Sequence, residues 1–559
     1  MGSMEKNKTV DRFLDFFFVL GTVLVLFSHF SKDYLPSFLF PFFGSDKVLS
    51  IYPFFVFSLI SIILLFKNRE YKKLLFLLLA CVVFCLGYFV VTEHGLYKII
   101  DEITEYDIQH LEGSRLSFFN IITRVFSDKS LSFRLFMSEG LFSLYAAFNQ
   151  YKEIYLVSFL ICFTYQNRMS DVKKCLFVGL MISFGIVLLY EIIEFPFLWG
   201  SSRSVELQQK INPFLHEVNR DGTWWPPLIW GDHVLRNVFS EPSFFGYYLG
   251  FTTVVFIHLL LNYKYKILWC LLLFFSYWFA FLTNSRSGVM LVLAGTVVYC
   301  TLFIIKERSL RGIIWVMLAL VLAFIGNNAI ERVKVEHGVA AVPIVEEKND
   351  DIVISPIDGN LFEVLKASFE PADRVKDAIY DSSVVQTIKT VFSLSARSNS
   401  TRYGCTFAEF SIGLKNPILG VGDLYVGNYL PEELNALGFG NYELWGWSEQ
   451  QKETGLLISV FASFNAFTSA FAEGGIVGVI LETGLLLFLI VAYVICLIKL
   501  KRKRIDNTSI MVFSMLTIIC AWGFSNSFQE SYLYVIILGI GLADVISCQR
   551  LLKGTKTNV

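Results

Sequence analysis

Two uninterrupted apolar runs, Ile267–Leu282 and Val289–Ile305, are separated only by the corner Thr283-Asn284-Ser285-Arg286-Ser287-Gly288. Crossing a bilayer core takes about 17–25 apolar residues, so each run reads as one span and the pair as a helical hairpin. Arg286 then sits where the hairpin emerges from lipid, with no long loop to carry it into water. A guanidinium held there by short polar side chains is suited to grip a phosphate bidentately. The same spacing also suits an ordinary polar turn whose arginine reaches up to lipid headgroups.

Similar runs recur along the chain. Hydrophobic residues make up 55% of the 559, aromatic residues 16% and charged residues 17%. A soluble domain of this length needs far more surface charge. Because the runs are continuous and do not alternate, they argue against a β-barrel and for an all-α polytopic membrane protein. Twelve spans are expected near 13–30, 49–66, 74–91, 147–165, 176–193, 243–261, 267–283, 289–305, 313–327, 475–498, 509–524 and 531–548. Lys67–Lys73, Lys173-Lys174, Lys264 with Lys266, Lys306–Arg311 and Lys499–Arg504 are rich in basic residues, whereas Ser31–Leu49 and Ser525–Gln529 are poor in them. The positive-inside rule then places both termini in the cytoplasm and Arg286 outside. Met1-Gly2-Ser3-Met4 reads as an expression remnant, and the first span is expected to serve as the targeting element.

Domain organisation follows. Residues 1–327 carry nine spans with outer segments at 92–146 and 194–242; residues 328–473 form a large, partly helical outer loop or lid; residues 474–559 carry three spans and a cytoplasmic tail. The stretch Arg134–Tyr165, broken by Glu139, Lys152 and Glu153, reads as an interfacial helix followed by one span. Gly455–Phe471 reads as a helix dipping into the outer surface. Nine of the ten cysteines lie in or beside spans, and Cys405 alone falls in an outer loop, so no exported disulfide framework is implied.

The chemistry-bearing residues crowd the outer side. Ser240 or Glu241 is expected to cap a helix that begins at Pro242, with His233, Arg236 and Ser243 close by in sequence. Glu241 reads either as a dipole partner or as a base or orienting carboxylate for Arg286. The lid supplies Arg397 and Arg402, then Asn416-Pro417 and Gly420-Val421-Gly422, and closes with Asn465 and Glu473-Gly474-Gly475-Ile476. Glu482 lies within a span and is a functional candidate on that ground. Trp224-Trp225-Pro226-Pro227 with Trp230 suits either sugar stacking or an interfacial belt. No nucleotide-binding glycine loop, metal-ligand spacing or nucleic-acid signature is present.

The corner Asn284–Gly288, Glu241-Pro242-Ser243, Arg402 followed by Asn416-Pro417 and Gly420-Val421-Gly422, and Asn465…Glu473-Gly474-Gly475-Ile476…Gly478 together resemble the bacterial O-antigen ligase and polymerase superfamily. The resemblance covers most of Phe239–Ile498. It implies a GT-C-type fold in the bacterial inner membrane with the active site facing outward. The implied donor is an undecaprenyl-diphosphate-linked oligosaccharide, with no cofactor or metal, and the implied partners are membrane lipids and a chain-length regulator. On the same resemblance Arg286 and Arg402 bind and neutralise the departing diphosphate. Glu241 is the candidate base or orienting carboxylate, with His233 as second choice, and His233, Arg236, Ser243, Ser285, Arg397, Asn465 and Glu473 are expected to contact substrate. Ligases of the family carry a histidine before the asparagine, where this chain has Phe464. That departure favours a repeat-unit polymerase for O-antigen or capsule over a ligase. A transporter would instead show midplane charges and paired broken helices.

Overall fold

The computed structural model describes residues 2–27, 48–215, 229, 233–310, 312–336, 397–499, 506–528 and 532–552. All regular structure among them is helical. The first six helices are α1 Gly2–Leu24, α2 Ile51–Lys67, α3 Tyr71–Ile99, α4 Glu105–Gln109, α5 Gly113–Val125 and α6 Leu131–Gln150. A π-helical stretch, Tyr151–Leu156, leads from α6 into α7, Val157–Tyr165. Then come α8 Met169–Glu194, α9 Ser202–Leu215, α10 Pro242–Asn262, α11 Lys266–Leu282, α12 Arg286–Glu307 and α13 Ile313–Glu336. The remaining helices are α14 Arg397–Lys415, α15 Leu430–Ala436, α16 Tyr442–Thr454, α17 Ala466–Glu482, α18 Gly484–Lys499, α19 Asn507–Gly523 and α20 Leu533–Leu552.

Six stretches among the described residues are long and apolar enough to cross a membrane: Tyr71–Ile99, Met169–Trp199, Pro242–Asn262, Arg286–Glu307, Ile313–Glu331 and Leu533–Leu552. A seventh is added if α17 and α18 together make one bent span, and α2, α11 and α19 are shorter apolar helices. Two of the twelve expected spans fall in neither group. Helix α1 ends at Leu24 and carries Asp11, Arg12 and Asp15, while 147–165 is divided among α6, the π-helical stretch and α7. Where a bilayer would lie, α10 is the centre of the bundle. Its apolar window is 94% buried, against 22% for α3 and for α13, whose outward faces are left to the surroundings. A helix apolar on every side belongs inside, and α10 packs against α11, α12 and α19.

The segment 92–146 is largely helical: α3 runs on to Ile99, and α4, α5 and the start of α6 follow within it. Burial of a charge explains the break read at Glu139. Its carboxylate, fully buried, accepts from the Arg115 Nε at 2.9 and 2.8 Å and pairs with Nη2 at 2.6 Å. The expected helix at 455–471 begins only at Ala466, and the expected span 475–498 is shared between α17 and α18. Gly475 adopts φ 59°, ψ −147° inside α17, and a 50° bend separates α17 from α18. The lid boundary at 473/474 therefore falls inside a helix.

Candidate functional site

The Arg286 corner is built by its own small side chains. Asn284 takes a left-handed φ of 48°, a conformation that Asn tolerates. The Thr283 hydroxyl accepts from the Ser285 N–H at 3.1 Å, and the Ser285 Oγ caps α12 by accepting from the Gly288 N–H at 3.2 Å. Arg286 is thus the first helical residue of α12. Glycine sets where this end lies. A Cβ on Gly246 would sit 2.4 Å from Gly288 Cα, so α10 and α12 touch backbone to backbone near their N-termini. Both positive dipole ends, α10 with Glu241 at its N-cap position and α12 with Arg286, therefore open on one face, the arrangement that suits an anion. Glu241 does not cap with its side chain; it accepts from the Ser243 hydroxyl at 2.8 Å.

The second arginine comes from 116 positions later in the chain and lies close enough to act on the first. Arg402, on α14, is the strongest charged influence on Arg286. Its Nη1 donates to the Ser525 carbonyl at 2.9 Å, and its guanidinium lies 5.1 Å from the centre of the Phe464 ring. Phe464 stacks in turn on Trp447. The position where the resemblance has histidine is thus an aromatic platform that holds an arginine. Asn465 caps α17, its Oδ1 accepting from the Phe467 and Thr468 N–H groups at 3.0 and 3.2 Å. Two guanidiniums within mutual influence repel, and an anion between them relieves that repulsion.

The remaining motifs turn out to be one joint. Breaking α17 at Gly475 frees backbone groups that a buried site has to satisfy. The loop Pro417–Gly422 satisfies them. The Val421 and Gly422 N–H groups donate to the Ala472 and Glu473 carbonyls at 2.9 and 2.8 Å, and the Ile476 N–H donates to the Pro417 carbonyl at 2.8 Å. Gly420 (φ 62°) and Gly475 allow the approach, since a Cβ on either would lie within 2.4 Å of the opposing backbone. Lys98 clamps the loop from α3, donating to Asn416 Oδ1 at 2.7 Å and the Gly420 carbonyl at 2.9 Å.

This joint brings three carboxylates together. Asp423, directly after the glycine motif, shares a hydrogen bond with Glu473; burial pushes the Asp423 carboxyl above its ordinary range and that bond pulls it back. The Ser469 hydroxyl donates to Glu473 Oε1 at 2.6 Å, and the Tyr88 hydroxyl donates to Glu482 Oε1 at 2.9 Å. A cavity of about 230 Å3 is lined by all three acids and adjoins one of about 490 Å3. Nearby, burial pushes the Glu409 carboxyl up to about 8, while its Oε2 accepts from the Thr468 hydroxyl at 2.7 Å.

The other expected site residues lie elsewhere. Arg236 is 1% exposed; its backbone N–H donates to Glu194 Oε1 at 3.2 Å and its Nη1 to the Ser240 carbonyl at 3.3 Å. It anchors the segment before α10 and is not presented to the face. His233 stacks on Phe197 with its Nδ1 2.9 Å from the Phe197 carbonyl. Ser285 and Ser243 act locally, as cap and as partner of Glu241. The Arg397 side chain, the Trp224–Pro227 run and Trp230 lie outside the described residues. Sequence reasoning missed Asp423, Glu409 and Tyr88. Only Asp423 had a usable signal, its place directly after Gly420-Val421-Gly422. Among the described residues no group of His, Cys, Asp or Glu is arranged to hold a metal ion. No family model matches this sequence, and no curated protein matches it.

Proposed function

We propose that the protein is a glycosyltransferase that polymerises undecaprenyl-diphosphate-linked oligosaccharide repeat units into O-antigen or capsular polysaccharide. It works as a twelve-span, GT-C-type enzyme on the outer face of the bacterial inner membrane. The observation that carries this reading is the Arg286–Arg402 pair at the paired N-termini of α10 and α12, a concentration of positive potential at an apolar bundle's rim. In the reaction a sugar hydroxyl of the incoming unit attacks the anomeric carbon of the growing chain. The bond from that carbon to the diphosphate oxygen breaks, and the diphosphate leaves with the electron pair. Arg286 and Arg402 stabilise the charge that develops on it. Glu241, which the Gly246–Gly288 contact holds at the same end as Arg286, accepts the hydroxyl proton.

Transport is the rival that an observation favours, because α17–α18 is a broken helix of the kind transporters use. Against it, transporters pair two such helices, and α17–α18 is the one bent pair among the described residues. A cell-free reaction decides, with purified protein and one defined lipid-linked repeat unit, no nucleotide-sugar or metal added, and products read as a ladder. The expected result is a ladder in the wild type that weakens about 10²–10³-fold in correctly inserted Arg286→Ala and Arg402→Ala. Full-length polymer from both variants refutes the proposal. Transfer only to an added acceptor lipid reassigns the protein as a ligase.

A further inference from the structure

The two adjoining cavities share Tyr88, Gln150, Ile154, Asp423, Phe528 and Tyr534 in their walls and so form one chamber. Its larger part, about 490 Å3, is within the roughly 300–1,000 Å3 of small-molecule sites. The π-helical stretch Tyr151–Leu156 borders it and turns Glu153 and Ile154 onto the wall. An extra residue per turn weakens a helix and is found mostly where function requires the altered register.

The wall chemistry is selective. Aromatic surfaces come from Phe142, Tyr145, Phe528, Tyr532 and Tyr534. Acceptors come from Asp423, Glu473 and Glu482, each of which keeps lone pairs beyond its protein bonds. The side chains of Gln150, Ser463 and Ser527 line the smaller part and hydrogen-bond to nothing else among the described residues. No Lys or Arg belongs to the described wall of either part. An anion is therefore rejected here. A ligand with apolar ring faces and a rim of hydroxyls is matched on both counts, by stacking and by carboxylate and amide acceptors.

We propose that this chamber binds the uncharged carbohydrate portion of the lipid-linked substrate, a reading that rests on the proposed glycosyl transfer. It lies beside the arginine site. Ser463, Ala466 and Ser527 of its wall flank Phe464 and Ser525, the two supports of Arg402. Charge thus divides one substrate between two compartments, with diphosphate on the arginines and sugar among the acids and aromatics.

The test is saturation-transfer NMR on the full-length protein in detergent. The probe is the soluble repeat oligosaccharide released from the host's carrier lipid by mild acid. Transfer to sugar ring protons is expected in the wild type and equally in Arg286→Ala/Arg402→Ala, since the probe carries no diphosphate. Affinity should fall about tenfold in Gln150→Ala, the equivalent of one lost hydrogen bond, and binding should vanish in Ser463→Trp, whose exposed position tolerates bulk without refolding the core. Absent transfer in the wild type, or wild-type affinity in both chamber variants, overturns the proposal. If the arginine double variant still makes polymer while the chamber variants lose the sugar, the catalytic reading falls and the chamber stands.

Discussion

Replacing Gly246 with alanine tests whether one backbone contact positions the site. The new Cβ would stand 2.4 Å from Gly288 Cα, where ordinary contact begins near 3.4 Å, so α10 and α12 have to part by about 1 Å. Overpacking of this kind costs about 1–3 kcal/mol, offset by the roughly 1 kcal/mol that Ala gains over Gly within a helix. The net loss of stability is therefore small, about 0–2 kcal/mol. The effect on rate is larger, because a 1 Å misplacement of a catalytic group costs about 100-fold, and Arg286 lies two residues before the contact. Gly250, one turn further along α10, provides the control. Its Cβ would meet only the Ile518 and Leu291 side chains, at 3.4 Å and beyond, so Gly250→Ala should keep full activity and hold or gain stability. The assay is thermal unfolding in detergent beside the cell-free ladder. Equal melting temperature and equal activity in the two variants would refute the crossing as the device that sets Arg286.

Gly475→Ala should be destabilised by about 1–3 kcal/mol, because its positive φ strains any side chain and the Cβ would lie 2.4 Å from the Ile418 carbonyl carbon; an unchanged melting temperature contradicts the account of the joint. Arg115→Ala leaves the buried Glu139 carboxylate without its partner and should cost about 3–5 kcal/mol in chemical unfolding. A loss under 1 kcal/mol would show that the pair is dispensable. Glu409 keeps its proton in the fold up to about pH 8, whereas the unfolded chain releases it near the ordinary 4.5. Its contribution to stability is therefore fully present below pH 4.5 and is lost as pH rises through 8. Glu409→Gln should match the wild type at pH 4.5 and exceed it in melting temperature at pH 8.5; parallel pH profiles would contradict the assignment.

The local signals of the sequence survive folding where the backbone itself carries them. The corner Thr283–Gly288 is a turn because Asn284 and Ser285 make it one, and Pro242 starts α10 where a proline is tolerated. The lid motif and the Glu473-Gly474-Gly475 motif were legible as separate signals, and their glycines mark where two backbones meet. What a linear reading does not carry is which partners those glycines have, since Gly420 meets the Ala472–Glu473 backbone and Gly475 the Ile418–Leu419 backbone only after α14 folds back on α17. Polar residues inside apolar stretches were misjudged for the same reason. Glu139 reads as an interruption until Arg115 arrives from α5. Arg236 reads as a site residue because it is five positions from Glu241, yet the turn at Asn237, φ 57°, sends it into the core against Glu194. Asp423 and Tyr88 acquire their role only from the cavity that surrounds them.

The central claim is that Arg286 and Arg402 together hold a lipid diphosphate, and binding measures it without any need to know the sugar. Native mass spectrometry of the purified protein titrated with undecaprenyl diphosphate reads occupancy directly for the wild type, Arg286→Ala, Arg402→Ala and the double variant. One bound diphosphate lipid is predicted in the wild type, weakened at least about tenfold by either single change, since each removes a charge-assisted contact of about 1.5–3 kcal/mol. Equal occupancy in all four proteins would contradict the account.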